Sequence, residues 1–192
     1  MAAAQASYAD DVPSSSVLSV SCDERHRFTK PPVAEIVLIE GLGVQGDSHA
    51  GETVQHLHRL KKDAGAPNLR QVHLIQAELF DEVAAAGYTV RPGDLGENVT
   101  TRGIDLLALA TGTVLRLGST AAVRITGLRN PCLQINGFES GLMKQLIGRD
   151  ADGDVVRRAG VMAVVLAGGV IRPGDPILVE PPAGEPVPLQ PV

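Results

Sequence analysis

Cys132 follows a proline and stands three residues after Arg129, in the run Thr126-Gly127-Leu128-Arg129-Asn130-Pro131-Cys132-Leu133-Gln134. The thiolate, rather than the thiol, attacks electrophiles and binds soft metals, and a neighbouring guanidinium such as that of Arg129 favours the charged form. Proline fixes its own φ and cannot continue a sheet ladder, so a strand is predicted to end at Asn130, with Cys132 presented from a rigid corner. The plain alternative for a free cysteine is a small buried hydrophobe. The second cysteine, Cys22, is far away in sequence and forms no CxxC or other metal-ligand spacing with the first. It is read as a packing residue, and two unpaired thiols suit a reducing cytoplasm.

Two glycine-punctuated polar stretches are the other candidates for chemistry. Residues 41–51 hold four glycines together with Asp47 and His49, and residues 91–100 hold Glu97 and Asn98. Glycine permits positive φ and close backbone approach, so each is predicted as a turn or as a loop wrapped around a ligand. Neither contains GxGxxG or GK[ST], which leaves the dinucleotide fingerprint and the P-loop unmatched. His49, His56 and His58 raise the question of zinc, but no HExxH motif or facing cysteine pair accompanies them.

The elements that must carry these residues are mostly short strands. Strands are predicted over residues 17–20, 33–40, 70–75, 113–117, 121–126, 160–166 and 176–180, with apolar and polar positions alternating in Val114-Leu115-Arg116-Leu117 and Val123-Arg124-Ile125-Thr126. Ile75, Leu79 and Val83 recur at helical spacing and Gly87 offers a stop, which predicts one principal helix over residues 76–86, with Glu78, Asp81 and Glu82 on its wet face. Ser140 is the expected cap of a short second helix ended by Gly148. The RPGD turn occurs twice, at residues 91–94 and 172–175. Residues 1–16 read as a flexible lead-in, 17–180 as a single domain, and 181–192, with five prolines, as an extended and uncommitted tail. The expected fold is mainly β: a closed or nearly closed barrel with one principal helix and a short second one.

Composition narrows the function. The chain has 192 residues, 44% hydrophobic and 20% charged, with only five Phe and Tyr and no Trp, so its core is built from Val, Leu, Ile and Ala. A net charge of −5 argues against a general nucleic-acid binder, though a local arginine cluster can still hold one phosphate. The start of the chain lacks a basic leader and carries Asp10 and Asp11, and the longest apolar run, residues 160–171, is too short to span a bilayer. A cytoplasmic protein that engages neither membrane nor nucleic acid is expected.

Four stretches in order resemble the MOSC family, named after the C-terminal domain of molybdenum cofactor sulfurase. They are Gly43-Val44-Gln45-Gly46-Asp47-Ser48-His49-Ala50-Gly51, Arg70-Gln71-Val72-His73-Leu74-Ile75, Gly93-Asp94-Leu95-Gly96-Glu97-Asn98-Val99-Thr100 and Arg129-Asn130-Pro131-Cys132. The resemblance implies a compact barrel-like β fold in which Cys132 ligates molybdenum of a bound pterin cofactor or carries sulfur as a persulfide. Both roles need a soft, deprotonated sulfur.

In the first role, Gly46, Asp47, His49, Arg70, Glu97, Asn98 and Arg129 are the expected cofactor contacts, and Arg70, Arg102, Arg124 and Arg129 are the candidate phosphate ligands. His49 or Asp47 then supplies protons for removal of oxygen from an N-hydroxylated small-molecule substrate, with electrons from an external donor. In the second role, Cys132 accepts sulfur from a cysteine desulfurase, with Arg129 stabilising the thiolate. No pyridoxal phosphate lysine site is identified, so the sulfur donor is expected to be a separate protein. A non-catalytic ligand-binding barrel is the third expectation.

Overall fold

Short β-branched runs separated by glycine and proline turns fold here into three sheets. The computed structural model describes residues 15–55 and 65–192. The strands are β1 (Ser16–Ser21), β2 (Pro32–Val33), β3 (Ile36–Ile39), β4 (Gly43–Val44), β5 (Val72–Gln76), β6 (Val99–Arg102), β7 (Val114–Leu117), β8 (Ala121–Leu128), β9 (Ile147–Arg149), β10 (Val155–Arg157), β11 (Val161–Ala167), β12 (Gly169–Ile171) and β13 (Ile177–Glu180). The main sheet has eight strands in the order β13-β7-β8-β11-β5-β6-β1-β2, beside a three-stranded sheet β12-β3-β4 and a hairpin β10-β9.

The fold is mainly β, but the expected closed barrel is not found: the sheets are open, with β13 and β2 at the edges of the largest. Ser16 bridges Pro176, Ile177 N donates to Ser15 O at 3.0 Å and Gly174 N donates to Val17 O at 2.8 Å, so the start of β1 meets the approach to β13. Pro176 has no N–H to extend that contact into a ladder.

One connection is parallel. β5 and β6 pair with Leu74 opposite Val99, and helix α1 (Glu78–Ala85) makes the crossover that a parallel pair requires. Leu79, Phe80 and Val83 are buried, and Gly87, at φ 89°, turns the chain out of the helix as its position predicted. The acidic residues of α1 are pinned: Glu78 Oε1 accepts from Gly103 N, Asp81 pairs with Arg102, and Glu82 pairs with Arg158. Two short helices follow Cys132, α2 (Gln134–Phe138) and α3 (Leu142–Leu146), one more than expected. Ser140 does not cap α3: Gly141 holds the N-cap position in the left-handed region, and the helix runs straight into β9.

Strand alternation divides the interior in two. Val72 and Leu74 of β5 and Val161, Ala163 and Val165 of β11 face the main core, whereas Ile75 joins a second core with Leu79, Val83, Ile135 and Leu146 from the helices. His73 and Met162 are opposed across the β5–β11 pair, on the face turned away from the main core. The two RPGD stretches fold alike, with the aspartate accepting from the arginine N–H at 2.8 Å in each.

The predicted strand over residues 33–40 is broken into β2 and β3, and β8 ends at Leu128, two residues before Asn130. Residues 181–192 are not uncommitted. Pro188 bridges Ala110, Pro191 bridges Leu128, Leu189 enters the main core, and Leu128 N donates to Gln190 O at 2.8 Å. The lead-in up to residue 14, and His56 and His58, lie outside the described residues. Among the described residues no helix is long and apolar enough to cross a membrane.

Candidate functional site

A cavity of about 570 Å³ opens where His73 and Met162 face out of the sheet, within the size range of small-molecule sites. Its walls include residues 27–30, the loop carrying His49, the approach to β5 at residues 68–70, Gly96 and Asn98 of the second glycine loop, and residues 129–134. Cys132 stands in the last of these, partly buried, its Sγ 3.5 Å from Gln134 Oε1. The chain turns here, two residues past the end of β8: Arg129 N donates to Gly160 O at 2.9 Å, Pro131 is buried, and Ile135 N donates to Cys132 O at 3.1 Å.

Arg27, Lys30, Arg70 and Arg129 all line the cavity, and among the described residues no Asp or Glu side chain does. The carboxylates lie behind. Lys30 Nζ is 2.6 Å from Asp47 Oδ2, with both side chains buried, and Arg27 Nε donates to Asp23 Oδ2 at 2.6 Å. Asn98 Nδ2 donates to the same Asp47 oxygen at 2.8 Å, while His49 N donates to Asp47 Oδ1 at 2.9 Å and the His49 ring Nδ1 lies 3.2 Å from it. Burial works against the charged form of Asp47, but the His49 hydrogen bond and the Lys30 ammonium outweigh it and hold the carboxyl well below the usual carboxylate range. Asp47 is therefore a fixed anion. Asp47 does not line the cavity, whereas His49 does.

Arg129 differs from the other cations. It is only 8% exposed, its Cζ lies 5.8 Å from the Phe28 ring centroid, and its Nη1 is buried without a hydrogen-bond partner. Burial lowers its pKa, opposed by the nearby Cys132 and Glu97, yet a guanidinium stays charged at any physiological pH. A buried cation with an unsatisfied donor in the wall of a cavity can receive an anionic group. Buried His73 contributes no charge: desolvation and the neighbouring Arg129 hold its pKa well below the ordinary histidine value, and its Nε2 lies 2.8 Å from Ala159 O.

The two glycine loops act by packing. Gly96, at φ 81°, lets the Phe28 carbonyl approach so closely that a Cβ there would lie 2.5 Å from the oxygen, and Lys30 N donates to Gly93 O at 2.8 Å. The second loop thereby carries the Phe28–Lys30 wall. Glu97 is fully buried and does not line the cavity; its Oε1 accepts from Gly93 N at 2.6 Å and Thr100 Oγ1 at 3.0 Å. Asn98 reaches the wall, but its amide is spent on Asp47 and Ser21 O and its Oδ1 accepts from His73 N. Gly46 is exposed and outside the cavity. Of the expected contacts, His49, Arg70, Asn98, Arg129 and Cys132 are brought together; Asp47 and Glu97 lie behind the walls, and Gly46 is outside the site.

Two of the four candidate phosphate ligands are elsewhere. Arg102 is exposed and paired with Asp81, and Arg124 is exposed on β8. Sequence reasoning missed Phe28, Lys30 and Asn68, the last of which donates to His49 O and Gly51 O at 3.0 Å and fixes the His49 loop. The one local signal was the Lys-Pro-Pro that closes the polar segment. Cys22 packs against the main core, and burial with nearby Asp47 raises its pKa, as suits a packing thiol.

These features define a mainly β domain with one thiol in the wall of a cation-lined cavity. The family model described as the MOSC domain matches residues 49–178, and the chain belongs to that family. It is similar to the YUAD protein from Bacillus subtilis, with a TM-score of 0.69 and 22% identity over 86% of this chain and 94% of that one. It is also similar to YiiM from Geobacillus stearothermophilus (TM-score 0.59, 19% identity, 86% and 75% covered) and YiiM from Escherichia coli (0.55, 20%, 91% and 72%). No curated protein matches the sequence significantly.

The residues fit a molybdenum-pterin group. Arg129 Nη1 offers an unmet donor to a phosphate, and Cys132 a single soft sulfur. No group of three or more His, Cys, Asp or Glu among the described residues is placed to hold a metal ion by itself.

Proposed function

We propose that this domain binds a molybdenum-pterin cofactor in the cavity, with Cys132 as its protein sulfur, and reduces N-hydroxylated small molecules with electrons from an external donor. The buried, unpartnered Nη1 of Arg129 beside Cys132 is the observation that carries this reading. Arg129 and Arg70 hold the phosphate, and Lys30 adds positive charge while its own position is set by Asp47. When bound, the group supplies two-electron redox chemistry at a soft metal. His49, its main chain fixed by Asn68 and its ring beside Asp47, holds the proton that a departing oxygen needs. A reducing compartment such as the cytoplasm suits the two free thiols.

The partial exposure of Cys132 favours a second reading, sulfur carriage. Here the Cys132 thiolate attacks the outer sulfur of a desulfurase persulfide, the donor's S–S bond breaks, and the donor cysteine leaves as thiolate.

The test is metal and labile-sulfur analysis of protein expressed in a host that makes the pterin cofactor, beside Cys132→Ser. Stoichiometric molybdenum that is lost in the variant supports the cofactor reading. Labile sulfur without molybdenum, lost in the variant, supports the carrier. Neither property in the wild type overturns both.

A further inference from the structure

The cation-lined walls leave one part of the cavity unexplained. Leu133, directly after Cys132, is 78% exposed, more than any other large apolar residue described, and Leu69 is 45% exposed. Both line the cavity, together with buried Met162. Neither exposed leucine belongs to a frayed segment. Thr126 Oγ1 lies 2.7 Å from Leu69 O and 2.9 Å from Met162 O, which ties those two residues into one wall. On the other side of Leu69, Asn68 is bound through its amide to His49 O and Gly51 O, and its Oδ1 accepts from Arg70 N. Leu133 opens the turn that Asn136 N closes by donating to Leu133 O at 3.1 Å. Two large apolar side chains are thus held toward solvent on a pinned backbone in the lining of the cavity that Cys132 shares.

We infer that Leu69, Met162 and Leu133 form an apolar shelf that receives a ring of the substrate while its reacting group is presented at Cys132. The inference rests on the reading of Cys132 as the reacting centre. An occupant of small-molecule size follows from three observations. The shelf is continuous with a cavity of about 570 Å³. Leu133 is covalently next to Cys132, so a group at the sulfur has its neighbouring atoms within reach of that side chain. The cations of the cavity answer to an anion, and none of them accounts for an apolar mouth. A ring stacked on the shelf removes the leucines and its own faces from water, and the gain scales with the apolar area buried.

The test compares two probes that share one head group and differ in the body, benzohydroxamic acid and acetohydroxamic acid. Binding of each to the full chain, expressed in the cofactor-making host, is measured by titration calorimetry. The ring is expected to bind about tenfold more tightly than the methyl. That preference is expected to shrink in Leu69→Ser and Leu133→Ser and to vanish in the double variant, with thermal melts confirming that exposed positions leave the fold intact. Equal affinities, failure of both probes to bind, or a preference that survives the double substitution overturns the shelf, as does a mouth that instead binds a partner protein to the exclusion of the ring. Metal analysis of the same samples separates the two readings. Molybdenum without a ring preference overturns only the shelf, and a ring preference without molybdenum overturns only the cofactor reading.

Discussion

Lys30 Nζ lies 2.6 Å from Asp47 Oδ2, and neither side chain is more than 3% exposed. The pair joins the Phe28–Lys30 wall to the first glycine loop, across 17 residues of sequence, and Asn98 ties the same carboxylate to the second loop. Removing one charge leaves the other buried and unmatched, which typically costs about 3–5 kcal/mol. Lys30→Met is therefore expected to lose stability on that scale in urea unfolding. Lys30→Met with Asp47→Asn is expected to recover much of it, since no lone charge remains.

The pH dependence of stability has opposite signs at two carboxylates. Asp47 titrates below its unfolded value, so its contribution is fully present above about pH 4 and is lost as pH falls toward the depressed folded pKa. Burial raises Glu97, so its contribution is present below its unfolded pKa of about 4.3 and is lost as pH rises through the folded value. Urea midpoints across pH are expected to show that Asp47→Asn removes part of the acid-side loss, whereas Glu97→Gln flattens the decline on the alkaline side. Parallel profiles for the two variants contradict both assignments.

Arg129 presents the unsatisfied donor of the cavity, so an oxyanion is expected to stabilise the wild type in thermal melts with inorganic phosphate. Arg129→Gln is expected to weaken phosphate binding about tenfold or more, the scale of a charged hydrogen bond, and Arg129→Lys to restore only part because one ammonium cannot replace the guanidinium fork. Arg102→Gln, on the outer surface, serves as the control and leaves the phosphate effect unchanged.

Gly96→Ala tests whether the second loop carries the Phe28–Lys30 wall. At φ 81° and with a Cβ 2.5 Å from Phe28 O, the substitution strains the backbone and pushes the wall outward. A loss of about 1–3 kcal/mol is expected, with weaker phosphate binding although no ligand-facing group has changed. Gly137→Ala, where a Cβ meets nothing, is the matched control.

Much of this molecule is legible in local chemistry. Alternation announced β7 and β8, the spacing of Leu79 and Val83 announced α1, and Pro131 announced the corner at Cys132, because each signal acts over a few residues of backbone. Strands of two or three residues, such as β4 and β12, carry too little pattern to be read, and the prolines of residues 181–192 looked like a free tail because nothing local tells that Leu189 enters the core.

The amino-acid sequence by itself determined the class of chemistry: one sulfur at a rigid corner beside an arginine, two glycine loops, and a mainly β chain. Only the tertiary structure decided which side of each loop meets the cavity. Asp47 and Glu97 sit behind the walls while Lys30 and Phe28 form them, and Arg102 and Arg124 point away from the site that Arg129 and Arg70 line. The reason is physical. A residue's type and neighbours set what it can do, but its partners are chosen by strand register and by burial, which join β5 to β11, Gly93 and Gly96 to residues 28–30, and Asp47 to Lys30 across long stretches of chain.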